Sequence, residues 1–353
     1  MSFASFAKRV IKRSRAPYAA YVAQTRKPIL QNMCLLEAGQ GKNINGNMFA
    51  LARAIETLPQ YAHLCAAFVV TEDTESQARD RFSHYGIDGV ELVARNSPRY
   101  KELLARAHYL FTDNSLPTYF FKRDGQVYVN TWHGTPLKHL GHSDLENAIA
   151  SMANVQKNML AADYLVFPNE LTKSVFWDDY QLRTLFSHRV LMCDYPRNDA
   201  LLDQGAAQRV REAYDLGDKN VVAYMPTWRG ARRSADVEGQ KAQIHELLRE
   251  IDSRLTGHDL FYVNLHFLVT GGMDFSAFEH VRPFPSELET YDFLAACDTL
   301  VTDYSSVFFD FAVTNRKIVL FAYDKDEYLS TKGTYLDYDA LPFPIAETPS
   351  ELV

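Results

Sequence analysis

Two stretches of this chain place groups able to move protons and bind anions directly behind β-forming runs. In VYVNTWHGTPLKHLG, residues 127–141, a histidine closes the run and is followed by Gly134, Thr135 and Pro136. An imidazole, which titrates near neutral pH, can take or give a proton there. The glycine and proline behind it bend the chain sharply. In LVTDYSSVFFDFA, residues 300–312, an apolar strand passes through a small polar turn into an apolar helix. Ser305 and Ser306 fall at the expected helix start, where free backbone N–H groups and the helix dipole favour an anion. His266 in YVNLHFLV and Arg229 in YMPTWRG lie in or just past β-like runs as well. Each has a plainer explanation: serines cap helices, His133 can be satisfied at a strand edge, His266 can be a core histidine, and Arg229 can stack on Trp228 at the surface. Their convergence on strand ends from both halves of the chain is the pattern of a phosphate-transfer cleft.

The elements that must position them alternate strand and helix. Met33–Glu37 reads as a strand, then comes the Gly/Asn-rich AGQGKNINGN and a helix from about Met48 to Leu58. CAAFVV, AHYLFT and VYVNTW follow as strands, an amphipathic helix fills residues 144–161, and DYLVFP and RVLMCD close the first half. After YPRNDALLDQGAAQ the pattern restarts with NVVAYMP, a helix near residues 240–255, LFYVNLHF, FEHVRPF, a short helix at 291–296, DTLVT, a further helix and KIVLFAY. Such alternation predicts an α/β protein with doubly wound parallel sheets, arranged as two Rossmann-like domains facing a central cleft. Ligands in such sheets sit beyond the C-terminal strand ends. The expected divisions are a basic arm over 1–30, an N-terminal domain over 31–205 and a C-terminal domain over 206–353.

Composition bounds the rest. With 353 residues, 47% of them hydrophobic, the chain can bury two ordinary cores. Charged residues at 23% and aromatics at 13% exclude overall disorder, and a net charge of −7 argues against nucleic acid as partner. Cys34, Cys65, Cys193 and Cys297 lack metal-type spacing and read as free thiols of a reducing compartment. No apolar run approaches a membrane span and no signal peptide opens the sequence, so a cytoplasmic location is expected. The charge is locally reversed at the start: residues 1–27 carry Lys8, Arg9, Lys12, Arg13, Arg15, Arg26 and Lys27 and no acid. With Phe3, Phe6, Val10 and Ile11 near helical spacing, this segment reads either as a basic amphipathic helix for the anionic inner leaflet of the cell membrane or as a solvated terminus.

TWHGTPLKHLG, YPRNDALL, YMPTWRG, the LH after a strand, VTDYSSVFFDFA and FAYDKDEY with KGTYLDY occur in the order and rough spacing of the CDP-glycerol glycerophosphotransferases, and GNMFAL near the start is similar too. The chain resembles that family from about Ala38 to Tyr338, and HGTPLK with TDYSS is highly specific to it. It departs where Phe267 follows His266, a position at which the family usually has proline. It also ends at ETPSELV, where such domains continue into a closing helix, so a shortened chain or one module of a larger capsule polymerase is expected.

The resemblance implies a GT-B architecture and transfer of glycerol phosphate (ribitol phosphate in close relatives) from a CDP-activated polyol to a growing polyol-phosphate chain of teichoic acid or capsule type. An acceptor hydroxyl would attack the β-phosphorus and release CMP. His133 is the expected base and His266 the second catalytic histidine. Thr227, Arg229, Asp303, Ser305 and Ser306 are expected at the donor, with His266 and Arg229 helping to neutralise the pyrophosphate. Asn47, Lys138 and Arg197 are expected at the anionic acceptor. No metal ligand set and no required cofactor is expected, with Mg²⁺ left open. The alternatives are CDP-ribitol as donor, a GT-B glycosyltransferase using a nucleotide sugar, and a catalytically silent module that holds polymer.

Overall fold

The structure, a computed structural model, describes residues 16–144, 149–227, 237–265 and 273–353. Thirteen strands form two sheets among these residues. The first contains β1 (Leu30–Glu37), β2 (Cys65–Val70), β3 (Glu91–Ala94), β4 (Ala107–Thr112), β5 (Val127–Asn130), β6 (Tyr164–Phe167) and β7 (Arg189–Met192), in the order β3-β2-β1-β4-β5-β6-β7. The second contains β8 (Asn220–Met225), β9 (Asp259–Val263), β10 (Val281–Pro283), β11 (Thr299–Thr302), β12 (Lys317–Phe321) and β13 (Ile345–Ala346), ordered β10-β9-β8-β11-β12-β13. Every pairing within the two sheets is parallel. Both sheets are therefore doubly wound, with the strand order reversing beside β1 in one and beside β8 in the other, as the alternation predicts.

The reason lies in burial. The last four residues of β1 and the last five of β2 are buried, which suits strands covered on both faces by helices. The helix Asn47–Thr57 turns Met48, Phe49, Ala52 and Ile55 inward, an i, i+4, i+7 stripe on β1 and β2, and Phe49 stacks on Phe82 with centroids 5.4 Å apart. In the second sheet Val222, Tyr224, Phe261, Val301 and Phe321 form the core with Leu248 and Ile251. Two strands have no counterpart in the sequence reading: β3, an edge strand with one buried residue, and β13, an edge strand of two residues.

The described chain divides into two compact units. One comprises Met1–His133 and Gly141–Arg197, the other Gly134–Leu140 and Asn198–Val353. The seven-residue segment after His133 thus belongs to the second unit. Lys138 forms an antiparallel bridge with Thr334, the His139 N–H donates to the Gly333 carbonyl at 3.3 Å, and the Tyr335 N–H donates to the Leu137 carbonyl at 2.9 Å. Tyr335 Oη accepts the Leu140 N–H at 2.8 Å, and its ring lies 4.9 Å from that of His139.

Residues 1–15, which hold five of the seven basic side chains of the expected arm, lie outside the described residues. Residues 16–25 are helical and docked rather than loose. Tyr21 is fully buried, donates from Oη to the Phe121 carbonyl at 2.6 Å, and packs edge-on against Phe121.

Gly333 closes the helix Lys325–Lys332 with φ 61° and ψ 151°, a conformation essentially confined to glycine. A Cβ there would come within 2.5 Å of His139 Nδ1. Gly333→Ala is expected to lower stability by about 1–3 kcal/mol through backbone strain alone, read as a lower urea midpoint at unchanged m. An unchanged midpoint would show that the seven-residue segment relaxes freely.

Candidate active site

His133 is delivered by a turn that the protein braces from several sides. Strand β5 ends at Asn130, whose Oδ1 accepts the Trp132 N–H at 2.9 Å and whose Nδ2 donates to the Asn114 carbonyl at 2.7 Å. Trp132 then adopts φ 53°, a left-handed conformation that an aromatic residue enters at a cost of about 1–3 kcal/mol. The strand expected to run through Trp132 stops two residues earlier for this reason. The Trp132 carbonyl accepts from Asn47 Nδ2 at 3.1 Å and from Thr131 Oγ1 at 2.8 Å, and the indole packs edge-on against Phe176. The stored strain is what aims the next side chain.

That side chain is held by one ring nitrogen. His133 Nδ1 lies 2.6 Å from the Asp113 carbonyl oxygen. A carbonyl only accepts, so Nδ1 carries the proton and Nε2 keeps its lone pair. The ring stacks on Trp132 with centroids 4.2 Å apart. Desolvation lowers the imidazole pKa to about 4, Arg197 pushes in the same direction, and the Asp113 carbonyl opposes both. The side chain is nevertheless exposed to solvent, and water offsets part of the desolvation. The imidazole is therefore neutral at neutral pH, with an accessible basic nitrogen.

Asn47 and Arg197 gather around this turn, but as braces. Asn47 is fully buried: its Nδ2 also donates to Thr131 Oγ1 at 3.1 Å, and its Oδ1 accepts the Arg197 N–H at 3.4 Å. Both ends of its amide are engaged within the fold. Arg197 is 8% exposed, donates from Nη2 to the His133 carbonyl at 3.1 Å, and lies over the Tyr195 ring. Lys138 sits in the second unit, its Nζ 5.9 Å from the centre of the Tyr328 ring.

The sequence reading missed Asp113. It follows β4, is 4% exposed, and accepts the Gly39 N–H on Oδ1 at 2.7 Å, tying the loop after β1 to the residue that anchors His133. Burial raises its carboxyl to about 6, with the Gly39 N–H and Arg197 pulling the other way. The only sequence signal was a lone acid after AHYLFT.

In the second unit Asp303, Thr227, Ser305 and Ser306 come together at the ends of β8 and β11. Asp303 is fully buried; its carboxylate accepts the Thr227 N–H at 2.8 and 3.0 Å and the Tyr304 N–H at 2.6 Å. It therefore orients the Ser turn and the loop after β8. Tyr338 Oη donates to the Asp303 carbonyl at 3.2 Å, and Tyr304 stacks on Tyr328 at 3.8 Å. Ser306 occupies the N-cap position of the helix Val307–Phe311 without a side-chain capping bond, and Ser305 Oγ is 3.4 Å from the Val307 N–H. Both serines are half-buried. Five helical residues make a smaller dipole than a long helix, so hydroxyls and backbone N–H groups carry more of any anion binding here. Arg229 and His266 lie outside the described residues.

The Asp113 carboxyl has a consequence for stability. Its folded pKa, about 6, lies above the ordinary 3.8. As pH rises between these values the unfolded chain loses its proton first, so the native state loses stability through this window. Asp113→Asn keeps an acceptor for the Gly39 N–H and removes the titration. The variant should gain on the wild type between pH 4 and 6, up to about 3 kcal/mol, in denaturant titrations at each pH. Parallel stability curves would refute the buried-acid assignment.

The family model of CDP-glycerol:poly(glycerophosphate) glycerophosphotransferases matches residues 19–353. The chain is 31% identical over 283 residues to the teichoic acid poly(glycerol phosphate) polymerase of Staphylococcus epidermidis, covering 73% of this chain and 37% of that protein. It is 27% identical over 354 residues to the Bacillus subtilis enzyme of the same name, covering 94% and 44%. With the teichoic acid glycerol-phosphate transferase of Staphylococcus aureus it shares 30% identity over 348 residues, covering 92% and 82%. The chain thus spans less than half the length of the two polymerases. Among solved structures, the wall teichoic acid polymerase TagF aligns with a TM-score of 0.76 at 24% identity, over 100% of this chain and 88% of that one. A histidine-substituted form of TagF aligns at 0.75 and 25%, over 97% and 84%. A match that takes in both sheets, the His133 turn and the Ser305–Ser306 turn means that the chain belongs to the CDP-glycerol:poly(glycerophosphate) glycerophosphotransferase family.

Proposed function

We propose that the protein transfers glycerol phosphate from CDP-glycerol to the terminal hydroxyl of a growing polyol-phosphate chain and releases CMP. The observation that carries this reading is His133: a neutral imidazole with its Nδ1 proton committed to a backbone carbonyl and its basic Nε2 accessible. The acceptor hydroxyl gives its proton to Nε2 as its oxygen bonds to the β-phosphorus. The bond from that phosphorus to the bridging oxygen breaks, and CMP leaves as a phosphate anion that needs hydrogen bonds and positive charge rather than a proton. Ser305, Ser306 and the nearby backbone N–H groups of the second unit would supply part of that stabilisation, with Arg229 and His266 as further candidates. No metal enters the proposed step. Glycerol is favoured over ribitol because the glycerol-phosphate transferase of S. aureus is 30% identical over 92% of the chain, whereas two ribitol-phosphate polymerases of that organism are 22% identical over 70% and 69%.

We also read residues 1–15 as a membrane-surface segment, supported by five basic side chains, no acid and apolar residues near helical spacing. The docked helix that follows would hold this segment at the first unit.

His133→Ala should bind CDP-glycerol nearly normally and lose transfer by about 10²–10⁴-fold, whereas Ser305→Ala/Ser306→Ala should raise the donor KM and lower kcat together. The ascending limb of kcat/KM should lie below pH 6.5, because the free protein depresses the His133 pKa. In kcat it should move upward, since bound anions favour the imidazolium. Assays of CMP release with CDP-glycerol and CDP-ribitol, with and without acceptor, test the reading. Near-normal turnover by His133→Ala would overturn the mechanism, and release from CDP-ribitol alone would replace the donor.

For the membrane segment, a chain lacking residues 1–15 should sediment less with anionic vesicles, the difference should shrink as salt rises, and melting should be unchanged. Removing residues 1–27 also deletes the buried Tyr21, so that chain should melt at a lower temperature. Equal sedimentation of full-length and shortened chains would refute the membrane reading.

A further inference from the structure

We propose that Arg95 binds a phosphate of the acceptor chain, upstream of the attacking hydroxyl, and that the buried carboxylate of Glu37 holds it in position; this rests on the first unit taking the polyanionic acceptor. Glu37 ends β1 and is fully buried. One of its oxygens accepts from Arg95 Nε at 3.1 Å and the other from Tyr100 Oη at 2.5 Å, Tyr100 being fully buried as well. Desolvation pushes the Glu37 pKa up while Arg95 and Tyr100 pull it down.

The pair is unusual in which nitrogen it uses. A guanidinium that served only to neutralise Glu37 could meet it with two parallel N–H bonds. Here Nε makes the contact, and neither terminal amino group has a hydrogen-bond partner among the described residues. The side chain keeps 21% of its surface exposed. An arginine pinned at Nε with a free two-pronged end is preorganised for a tetrahedral oxyanion.

The surroundings suit an anion as well. Arg95 lies beyond the C-terminal end of β3, and Glu37 ends β1, where the strand order reverses and ligands gather in such sheets. The loop after β1 carries three consecutive left-handed residues, Gly39, Gln40 and Gly41, with φ of 50°, 61° and 79°. A Cβ on Gly41 would lie 3.4 Å from Arg95 Cδ and 3.3 Å from Val69 and Val70, so only glycine lets the loop close over the arginine stem. Tyr119 Oη is buried without a partner, and Tyr119 interacts electrostatically with both Glu37 and Arg95. Lys42, next in the loop, is exposed and has no side-chain partner among the described residues. Because Glu37 already cancels Arg95, Lys42 supplies the positive charge that a phosphate would add against.

This position is linked to the base. Gly39 bonds to Asp113, whose carbonyl holds His133. Strands β1 and β5 are separated by β4 alone, or about 10 Å at two interstrand spacings. A phosphate at Arg95 therefore lies a short way back along an acceptor whose end hydroxyl meets His133.

The test is binding of soluble oligo(glycerol phosphate) of defined length by calorimetry, together with CMP release from CDP-glycerol. Removing Arg95 alone would strand a buried carboxylate, so the variant is Glu37→Gln/Arg95→Gln. It should melt close to the wild type and bind oligomers with several phosphates about 10-fold or more weakly. Binding of CDP-glycerol and transfer to a single-hydroxyl acceptor without phosphate should be unchanged. Arg95→Lys, which keeps the charge and loses the fork, guards against misfolding of the double variant and should also bind long oligomers more weakly. Equal oligomer binding by folded variants and wild type overturns the proposal. A wild type that binds oligomer through Arg95 but releases no CMP leaves this site standing and removes the transferase reading.

Discussion

The hydrogen bond between His133 Nδ1 and the Asp113 carbonyl is the constraint on which the first unit's chemistry depends. Without it, imidazole exchanges tautomers and its basic nitrogen has no fixed direction. With it, Nε2 is the basic nitrogen and the ring has one orientation. Much of the surrounding structure maintains that geometry. Asn130 and Asn47 hold the left-handed Trp132, Phe176 supports the indole, Arg197 fixes the His133 carbonyl, and the Asp113 carboxyl ties the loop after β1 to the same point. A strained residue survives only where neighbours over-determine it, and Trp132 has such neighbours on every side.

The second unit is organised around a buried carboxylate in a different way. Asp303 accepts from two backbone N–H groups, that of Thr227 shared between both oxygens and that of Tyr304, and so joins the loop after β8 to the turn after β11. Its carboxylate is fully buried, so an acid that sequence alone could place on substrate acts through Thr227 and Tyr304. The serines beside it make no strong capping bonds. Neither hydroxyl donates a hydrogen bond among the described residues, and the shortness of their helix makes those hydroxyls more important than the dipole.

What the sequence revealed depended on length and locality. The two parallel sheets, most of their strands, and the positions of His133 and of the Ser turn behind strand ends were legible because each is written in consecutive residues. Glu91–Ala94 and Ile345–Ala346 were not: both are edge strands, the first with one buried residue and the second only two residues long. The division of roles between binding and bracing was hidden too. Asn47 and Arg197 were expected at the site, yet their hydrogen bonds join residues 64 to 150 positions apart. Asp113, Glu37 and Arg95 showed no motif, and their significance lies in burial and in the nitrogen used, which only coordinates reveal.

The exchange of residues 134–140 into the second unit bears on how the chain acquires its shape. Leu140 bonds to a side chain 195 positions later, and Leu137 pairs with the same tyrosine. During synthesis the strands from β1 to β7 can assemble while this segment waits without its partners. The second unit cannot complete its own bonding until Gly333–Tyr335 has left the ribosome and captured a stretch made nearly 200 residues before. Loop closure over that separation is entropically costly and slow. Maturation of the segment that follows His133 is thus a late step in folding, set by elements made nearly 200 residues later rather than by the sheet that carries His133.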